Sequence, residues 1–322
     1  MKPICLMLPA MLGITFATIE ADAQTWPTKP LRAIVAAGAG STIDIIPRLV
    51  FEQLASQLGQ AIVVENRPGA GTTIAAGFVA KSDPDGYTIL VNSNAHTISP
   101  SLYEKLSYHP AHDFAAVIPF GITPNVLVVS PAKGWKAAGD LVAAAKVNPG
   151  TLNFSSVGVG TATHLSAERF QSSARIQAVH VPFKGGGEAV SEVMAGRIDF
   201  FFGPVGLVLP HIKAGRLVAL AVNGSKRAGA LPDVPTTAEA GLVDAEYPFW
   251  FGLFLPVKTP RAIVDHLHRE TLRALQAPNV NARLASLGVD PMVMTPNEFD
   301  AHVLKEIALN AALVKAAGIK TN

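Results

Sequence analysis

The chain has 322 residues, 49% of them hydrophobic and 16% charged, with a formal net charge of +2. That is enough apolar material for one large or two ordinary buried domains, and it excludes extended disorder. With no Lys/Arg-rich block and no basic stripe interleaved with aromatics, the sequence also argues against a nucleic-acid surface.

The N-terminus is read first. Met1-Lys2-Pro3 is a short basic segment, an apolar run follows to Ile19, and Ala21-Asp22-Ala23 places small residues where a signal peptidase cuts. Residues 1–23 are therefore expected to be a cleaved secretory signal. The apolar run is shorter than the ~20 residues of a bilayer span and contains Pro9 and Gly13, which argues against a membrane anchor. Cleavage removes Cys5, the single cysteine, so the exported product has neither disulfides nor thiolate chemistry.

The mature part opens on a strand at residues 31–36. The loop Ala37-Gly38-Ala39-Gly40-Ser41-Thr42 follows, then a periodic helix over 43–58 closed by Gly59. Ser41 or Thr42 suits the N-cap, and Asp44 in the first turn suits the helix dipole. A third glycine in dinucleotide register and a Walker lysine are both missing. Strands at 61–65 and 87–91, with a helix over 73–80 between them, continue the rhythm of a parallel α/β sheet. The last of these strands runs into the polar cluster Asn92-Ser93-Asn94-Ala95-His96, at the carboxyl edge where open α/β sheets place ligands. Loop capping by Asn and Ser explains the same cluster equally well. His109 and His112 flank Pro110 and lack the third ligand of a zinc motif, so they are read as surface residues and no metal is expected.

Apolar runs at 116–120 and 126–129 surround Thr123-Pro124-Asn125, which is read as a first crossover between lobes. A helix over 137–146 and a short strand at 152–154 lead into Ser155-Ser156-Val157-Gly158-Val159-Gly160-Thr161-Ala162-Thr163-His164, a second strand, glycine loop and helix start. Such a loop aims unpaired N–H groups and the positive end of a helix dipole at one spot, and so holds an anion without lysine. The same residues also make a plain glycine-softened turn. A strand at 177–181 leads into a third glycine loop containing Phe183 and Lys184, and a helix follows over 188–194. The strand 199–202 ends at Gly203-Pro204, and a helix at 208–213 and a strand at 217–222 follow. The apolar run 248–255 is read as a strand buried on both faces and as the second crossover. Beyond Pro260 only amphipathic helices are expected, over 261–275, 279–287 and 296–317.

This pattern predicts an α/β fold of two lobes, residues 24–123 with 250–322 and residues 124–249, each a parallel or mixed sheet flanked by helices. Loops at strand ends would then converge on a cleft rich in backbone donors and poor in charge, suited to a carboxylate. A hydrolase using Ser155 or Ser156 with His164 and Asp199 is the rival reading, but no nucleophile elbow supports it.

Several strings together resemble one family: Val64-Glu65-Asn66-Arg67-Pro68-Gly69-Ala70-Gly71, Pro84-Asp85-Gly86-Tyr87-Thr88, Gly160-Thr161-Ala162-Thr163-His164-Leu165, Val181-Pro182-Phe183-Lys184-Gly185-Gly186 and Leu231-Pro232-Asp233-Val234-Pro235-Thr236. With Trp26-Pro27, the 37–44 loop with Arg48, and Ala195-Gly196-Arg197-Ile198-Asp199, they look like the Bug-type receptors, the periplasmic binding proteins of tripartite tricarboxylate transporters. The resemblance implies a monomeric, cofactor-free, type II-like periplasmic-binding fold closing on a small organic anion for membrane permease subunits. A ligand-sensing subunit is the alternative role. Carried onto this chain, the ligand-binding candidates are Gly38, Ala39, Gly40, Ser41, Thr42 and Asp44 in the first loop, and Ser156, Gly158, Thr161 and His164 in the second-lobe loop. Asn92 and Ser93, then Phe183 and Lys184, match two further family loops. Two departures stand out. The family's Pro-Phe-x-x-Gly-Gly loop is here Ala36-Ala37-Gly38-Ala39-Gly40-Ser41. An acidic residue that meets a ligand ammonium in many members is here Gly203. The second departure predicts a dicarboxylate or aromatic acid rather than an amino acid.

Overall fold

A computed structural model describes residues 26–247 and 249–319; the expected signal segment, 1–23, lies outside them. Strands β1 (Leu31–Val35), β2 (Ile62–Asn66), β3 (Thr88–Ser93), β4 (Phe114–Thr123) and β10 (Phe249–Pro256) form one sheet in the order β2-β1-β3-β10-β4. Strands β5 (Asn125–Val129), β6 (Asn153–Ser156), β7 (Val179–Pro182), β8 (Phe200–Pro204) and β9 (Val218–Asn223) form the other, in the order β7-β6-β8-β5-β9. The fold is thus α/β with two lobes.

The two sheets share one plan. In each, the first three positions run parallel and the fourth runs against its neighbours: β10 pairs antiparallel with β3 and β4, and β5 with β8 and β9. Each antiparallel strand lies just after the chain has crossed from the other sheet. The first crossing is abrupt, with Pro124 alone between β4 and β5. Position for position, β1 matches β6, β2 matches β7 and β3 matches β8.

Strand alternation explains why both sheets are buried on two sides. Along β10, Phe249, Phe251, Leu253 and Leu255 enter one core cluster, while Trp250 and Phe254 enter another. Along β8, Phe200 and Phe202 pack on one side and Phe201 on the other. Helices α1 (Thr42–Leu58), α8 (Arg261–Gln276) and α9 (Pro278–Ser286) cover one face of the first sheet, and α10 (Pro296–Ala317) packs along β4 and α3 (Ala95–Leu102). Among the described residues no helix is long and apolar enough to cross a membrane.

Helix α3 replaces the loop expected after Asn92. The sequence hides it because Pro100 sits inside the helix and its missing N–H would leave the His96 carbonyl unpaired. The Ser99 hydroxyl donates to that carbonyl at 2.9 Å.

His96 is a core residue. Its Nδ1 faces Asn92 Nδ2 at 3.3 Å and its Nε2 faces the Pro110 carbonyl at 3.2 Å, which places the ring proton on Nε2. Burial, with a smaller contribution from His109, pushes it down to about 3; burial and then His164 do the same to His180. An unfolded histidine titrates near 6.5, so between roughly pH 3 and 6.5 the unfolded chain binds protons these rings refuse. Their stabilisation is complete above about pH 6.5 and is lost on acidification, by up to ~1.4 kcal/mol per pH unit for each ring. Glu306, which burial raises to about 7, has the opposite sign: its contribution is complete below about pH 4.5 and is lost as pH rises through 7. Glu306 therefore offsets one histidine between about pH 4.5 and 6.5, and below that range it no longer opposes them. Urea melts are expected to show falling stability below about pH 6.5, steepening below about 4.5. His96→Phe should flatten the steep acid limb.

Candidate functional site

Parallel pairing sets the geometry of the site. Val35 lies opposite Val91, so the loops after β1 and β3 leave the first sheet side by side. In the second sheet Ser156 lies opposite Pro182 and Ser155 opposite Phe201, so the loops after β6, β7 and β8 also emerge together. The two groups meet where α5 (Ala162–Ala174) begins. Ala162 and Leu165 are buried in the first lobe's core with Ile98 and Leu102 of α3. The space beside the Gly160 Cα is filled by Leu102 Cδ1, 2.0 Å from where a Cβ would stand.

In the first loop, Ser41 is the N-cap of α1, yet its hydroxyl does not cap the helix and instead donates to the Gly38 carbonyl at 2.7 Å. The Gly40 N–H donates to Asp44 Oδ2 at 2.9 Å, while Arg48 Nε and Asn66 Nδ2 both reach Asp44 Oδ1 at 2.8 Å. Asn66 also donates to the Ala37 carbonyl at 3.0 Å. Asp44 is only 3% exposed. Burial alone would raise its pKa, but the bonds from Gly40, Asn66 and Arg48 outweigh it and hold the carboxyl below its ordinary range. Both carboxylate oxygens are thus occupied by the loop itself.

The second-lobe loop repeats this arrangement at a constant offset in sequence. Thr161 is the N-cap of α5 and its hydroxyl donates to the Gly158 carbonyl at 2.8 Å, again without capping the helix. The Gly160 N–H donates to His164 Nδ1 at 3.1 Å. Gly40 and Gly160 share the left-handed conformation, with φ of 79° and 76°. Gly38, Gly40, Ser41 and Asp44 therefore correspond to Gly158, Gly160, Thr161 and His164. The i+4 pair Asp44–Arg48 corresponds to His164–Glu168, whose Nε2–Oε1 distance is 3.4 Å.

Turning the N-cap hydroxyl away has a chemical consequence. An N-cap side chain ordinarily takes an N–H of the first turn, and here neither does. Thr42 and Ile43 in one loop, and Ala162 and Thr163 in the other, are the first-turn residues whose N–H groups a carboxylate can take. Ile43, Ala162 and Thr163 were not among the sequence candidates. The orphan-donor rule for helix N-termini was the signal that could have found them.

The remaining candidates take different places. Asn92 is fully buried; its amide reaches Thr72 Oγ1 at 3.1 Å and its carbonyl oxygen accepts the Ser93 N–H at 2.8 Å. Ser93 Oγ, also buried, accepts the Ala95 N–H at 3.3 Å. Ser156 Oγ accepts the Gly158 N–H at 3.0 Å and contacts His180 Nε2 at 2.6 Å. Phe183 is half-buried with its N–H on the Ser156 carbonyl at 2.9 Å, and Lys184 is exposed. Gly38 and Ala39 are exposed, and nothing lies within 4 Å of a Cβ built on Gly38. Gly203 is buried, and a Cβ there would stand 2.5 Å from Phe201 Cε1 and 2.6 Å from Val208 Cγ1.

No hydrolytic triad is assembled from the residues that suggested one. Asp199 pairs with Lys133 and accepts the Asn153 N–H at 2.7 Å, while His164 faces Gly160 and Glu168. His109 and His112 stack at 4.1 Å, and among the described residues no cluster of three or more His, Cys, Asp or Glu could hold a metal.

Asp44→Ala strands the Gly40 N–H and unpairs Arg48, and is expected to destabilise by about 2 kcal/mol; Asp44→Asn, which keeps an acceptor, should cost under about 1 kcal/mol. Urea denaturation of the two variants measures the difference.

The family described as "Tripartite tricarboxylate transporter family receptor" matches residues 46–319. Protein BugT of Bordetella pertussis is 33% identical over 319 residues, covering 97% of this chain and 98% of that protein. Rpa4515 of R. palustris, solved with adipate, superposes with a TM-score of 0.84 at 31% identity, covering 92% of this chain and all of that one. MatC of Rhodopseudomonas palustris, solved with bound malate, gives 0.80 at 30% identity, covering 90% of this chain and all of that one. BugD, which superposes with a TM-score of 0.81 at 28% identity, covering 92% of this chain and all of that one, is a periplasmic binding protein. The chain belongs to the tripartite tricarboxylate transporter receptors, the family of the Bug-type periplasmic solute-binding proteins.

Proposed function

We propose that this chain is an exported receptor that closes its two lobes, divided at Pro124 and before β10, on a small organic carboxylate and presents it to the membrane permease of a tripartite transporter. One observation carries the reading: the same loop occurs once in each lobe, and in both the N-cap hydroxyl is turned away from its helix. A ligand touching both loops favours the closed state, because only closure brings both sets of donors to it.

The ligand is a dicarboxylate or an aromatic acid rather than an amino acid. Asp44, the acidic residue of the first loop, is already bound to Arg48, Asn66 and Gly40, and the second-lobe loop 155–164 has no acidic residue. An ammonium held in the cleft would lack a counter-charge, at a cost of several kcal/mol. Adipate and malate, present in two relatives, are dicarboxylates. Phe183 offers apolar wall for an aliphatic chain or a ring.

A thermal-shift panel of adipate, malate, benzoate and the common amino acids tests this. At a hundredfold excess over Kd a true ligand adds ~2.7 kcal/mol and raises Tm by about 4 °C. Stabilisation by amino acids alone would contradict the ligand class.

A further inference from the structure

The geometry points to His164, stacked on His180, as the positioning residue of the second carboxylate loop, one that holds the loop in its binding shape only while its Nδ1 carries no proton. The inference deepens the reading above and rests on it for the ligand, though not for the loop.

His164 occupies the place that Asp44 fills in the first lobe, accepting the N–H of the glycine before the N-cap. A carboxylate offers that acceptor throughout the neutral range, whereas an imidazole offers it at one nitrogen and only when that nitrogen is bare. The Nε2 edge faces Glu168 Oε1 at 3.4 Å, which places the proton on Nε2 and leaves Nδ1 for Gly160. Protonating Nδ1 sets a donor against the Gly160 N–H, and the bond is lost.

Two titratable groups face the ring among the described residues: Glu168 from its own helix and His180 from β7. The His180 ring lies parallel to it, 3.8 Å away and 10° from coplanar, and the Phe154 ring from β6 stacks at 6.0 Å without charge. Two stacked imidazolium rings would repel, and His180 is pushed down to about 3 by burial and by His164, so it stays neutral. Its Nε2 meets Ser156 Oγ, which in turn takes the Gly158 N–H. The histidine pair thus supports both glycines of the loop. In the first lobe the Asp44–Arg48 pair does this work with a carboxylate in place of the imidazole. Acid therefore loosens one half of the clamp and leaves the other in place.

The test uses the mature chain. In ligand-free protein the Gly160 amide resonance is expected to follow the His164 ring resonances as acid is added, while the Gly40 amide does not. Adipate affinity in the wild type should fall as acid protonates the His164 ring, in step with the change at the Gly160 amide. His164→Asn supplies a non-titrating acceptor for Gly160. It should match the wild type at about pH 8 and lose the excess pH dependence, since ligand protonation burdens both proteins equally. His164→Phe should bind more weakly at every pH. A Gly160 amide that stays flat through the histidine titration, or a His164→Asn profile identical to wild type, overturns the inference. If Gly160 titrates but no carboxylate of the panel binds, the positioning role stands and the ligand assignment falls. If adipate binds over a flat Gly160 amide, the ligand assignment stands and this inference falls.

Discussion

Replacing Gly160 with alanine is expected to destabilise the protein by about 2–5 kcal/mol, the largest stability loss of any single methyl addition in the candidate loops. Two costs combine. At φ 76° the backbone is left-handed, which charges an L side chain about 1–2 kcal/mol. The new Cβ would also stand 2.0 Å from Leu102 Cδ1, so the Leu102 side chain, buried in the first lobe's core, must shift. Because that contact joins the second-lobe loop to α3, the substitution should weaken ligand binding as well. Gly38→Ala is the matched control, with an ordinary φ and open space around its Cβ, and should leave stability within about 0.5 kcal/mol. Urea midpoints of the two variants separate a packing requirement at Gly160 from a general need for glycine in the loop.

Much of the fold was legible because the apolar alternation is strong. The run 248–255 reads as a strand buried on both faces, and β10 does feed alternate side chains into two clusters. Both glycine loops were also legible as strand-to-helix turns. Their equivalence was not, because the matching residues differ in type: serine with threonine, aspartate with histidine, arginine with glutamate. The match appears only once each antiparallel strand is seen to come from across the interlobe crossing. Asp44 and His164, ligand-binding candidates by resemblance, each accept a glycine N–H four residues earlier, a local geometry that residue type does not encode. Gly203 suggested a missing acid. A Cβ there would run into Phe201 and Val208, so packing alone explains a glycine at that position.

The first-turn amides are the centre of the account, and Thr42→Pro removes one of them alone. Proline suits the first position of a helix, where its fixed φ fits and its missing N–H breaks no intrahelical bond. The preceding residue must be extended, and Ser41 already is, with φ −75° and ψ 164°. Ser41 keeps its bond to the Gly38 carbonyl, and Asp44 keeps its bond to Gly40. Ligand-free stability should therefore stay within about 1 kcal/mol of wild type. One charge-assisted hydrogen bond is lost, about 1.5–3 kcal/mol, which weakens binding roughly tenfold to a hundredfold. The decisive measurement is the calorimetric Kd of this variant for the carboxylate that stabilises the wild type most. A Kd raised at least about tenfold is predicted, and wild-type affinity in the folded variant would contradict the carboxylate clamp.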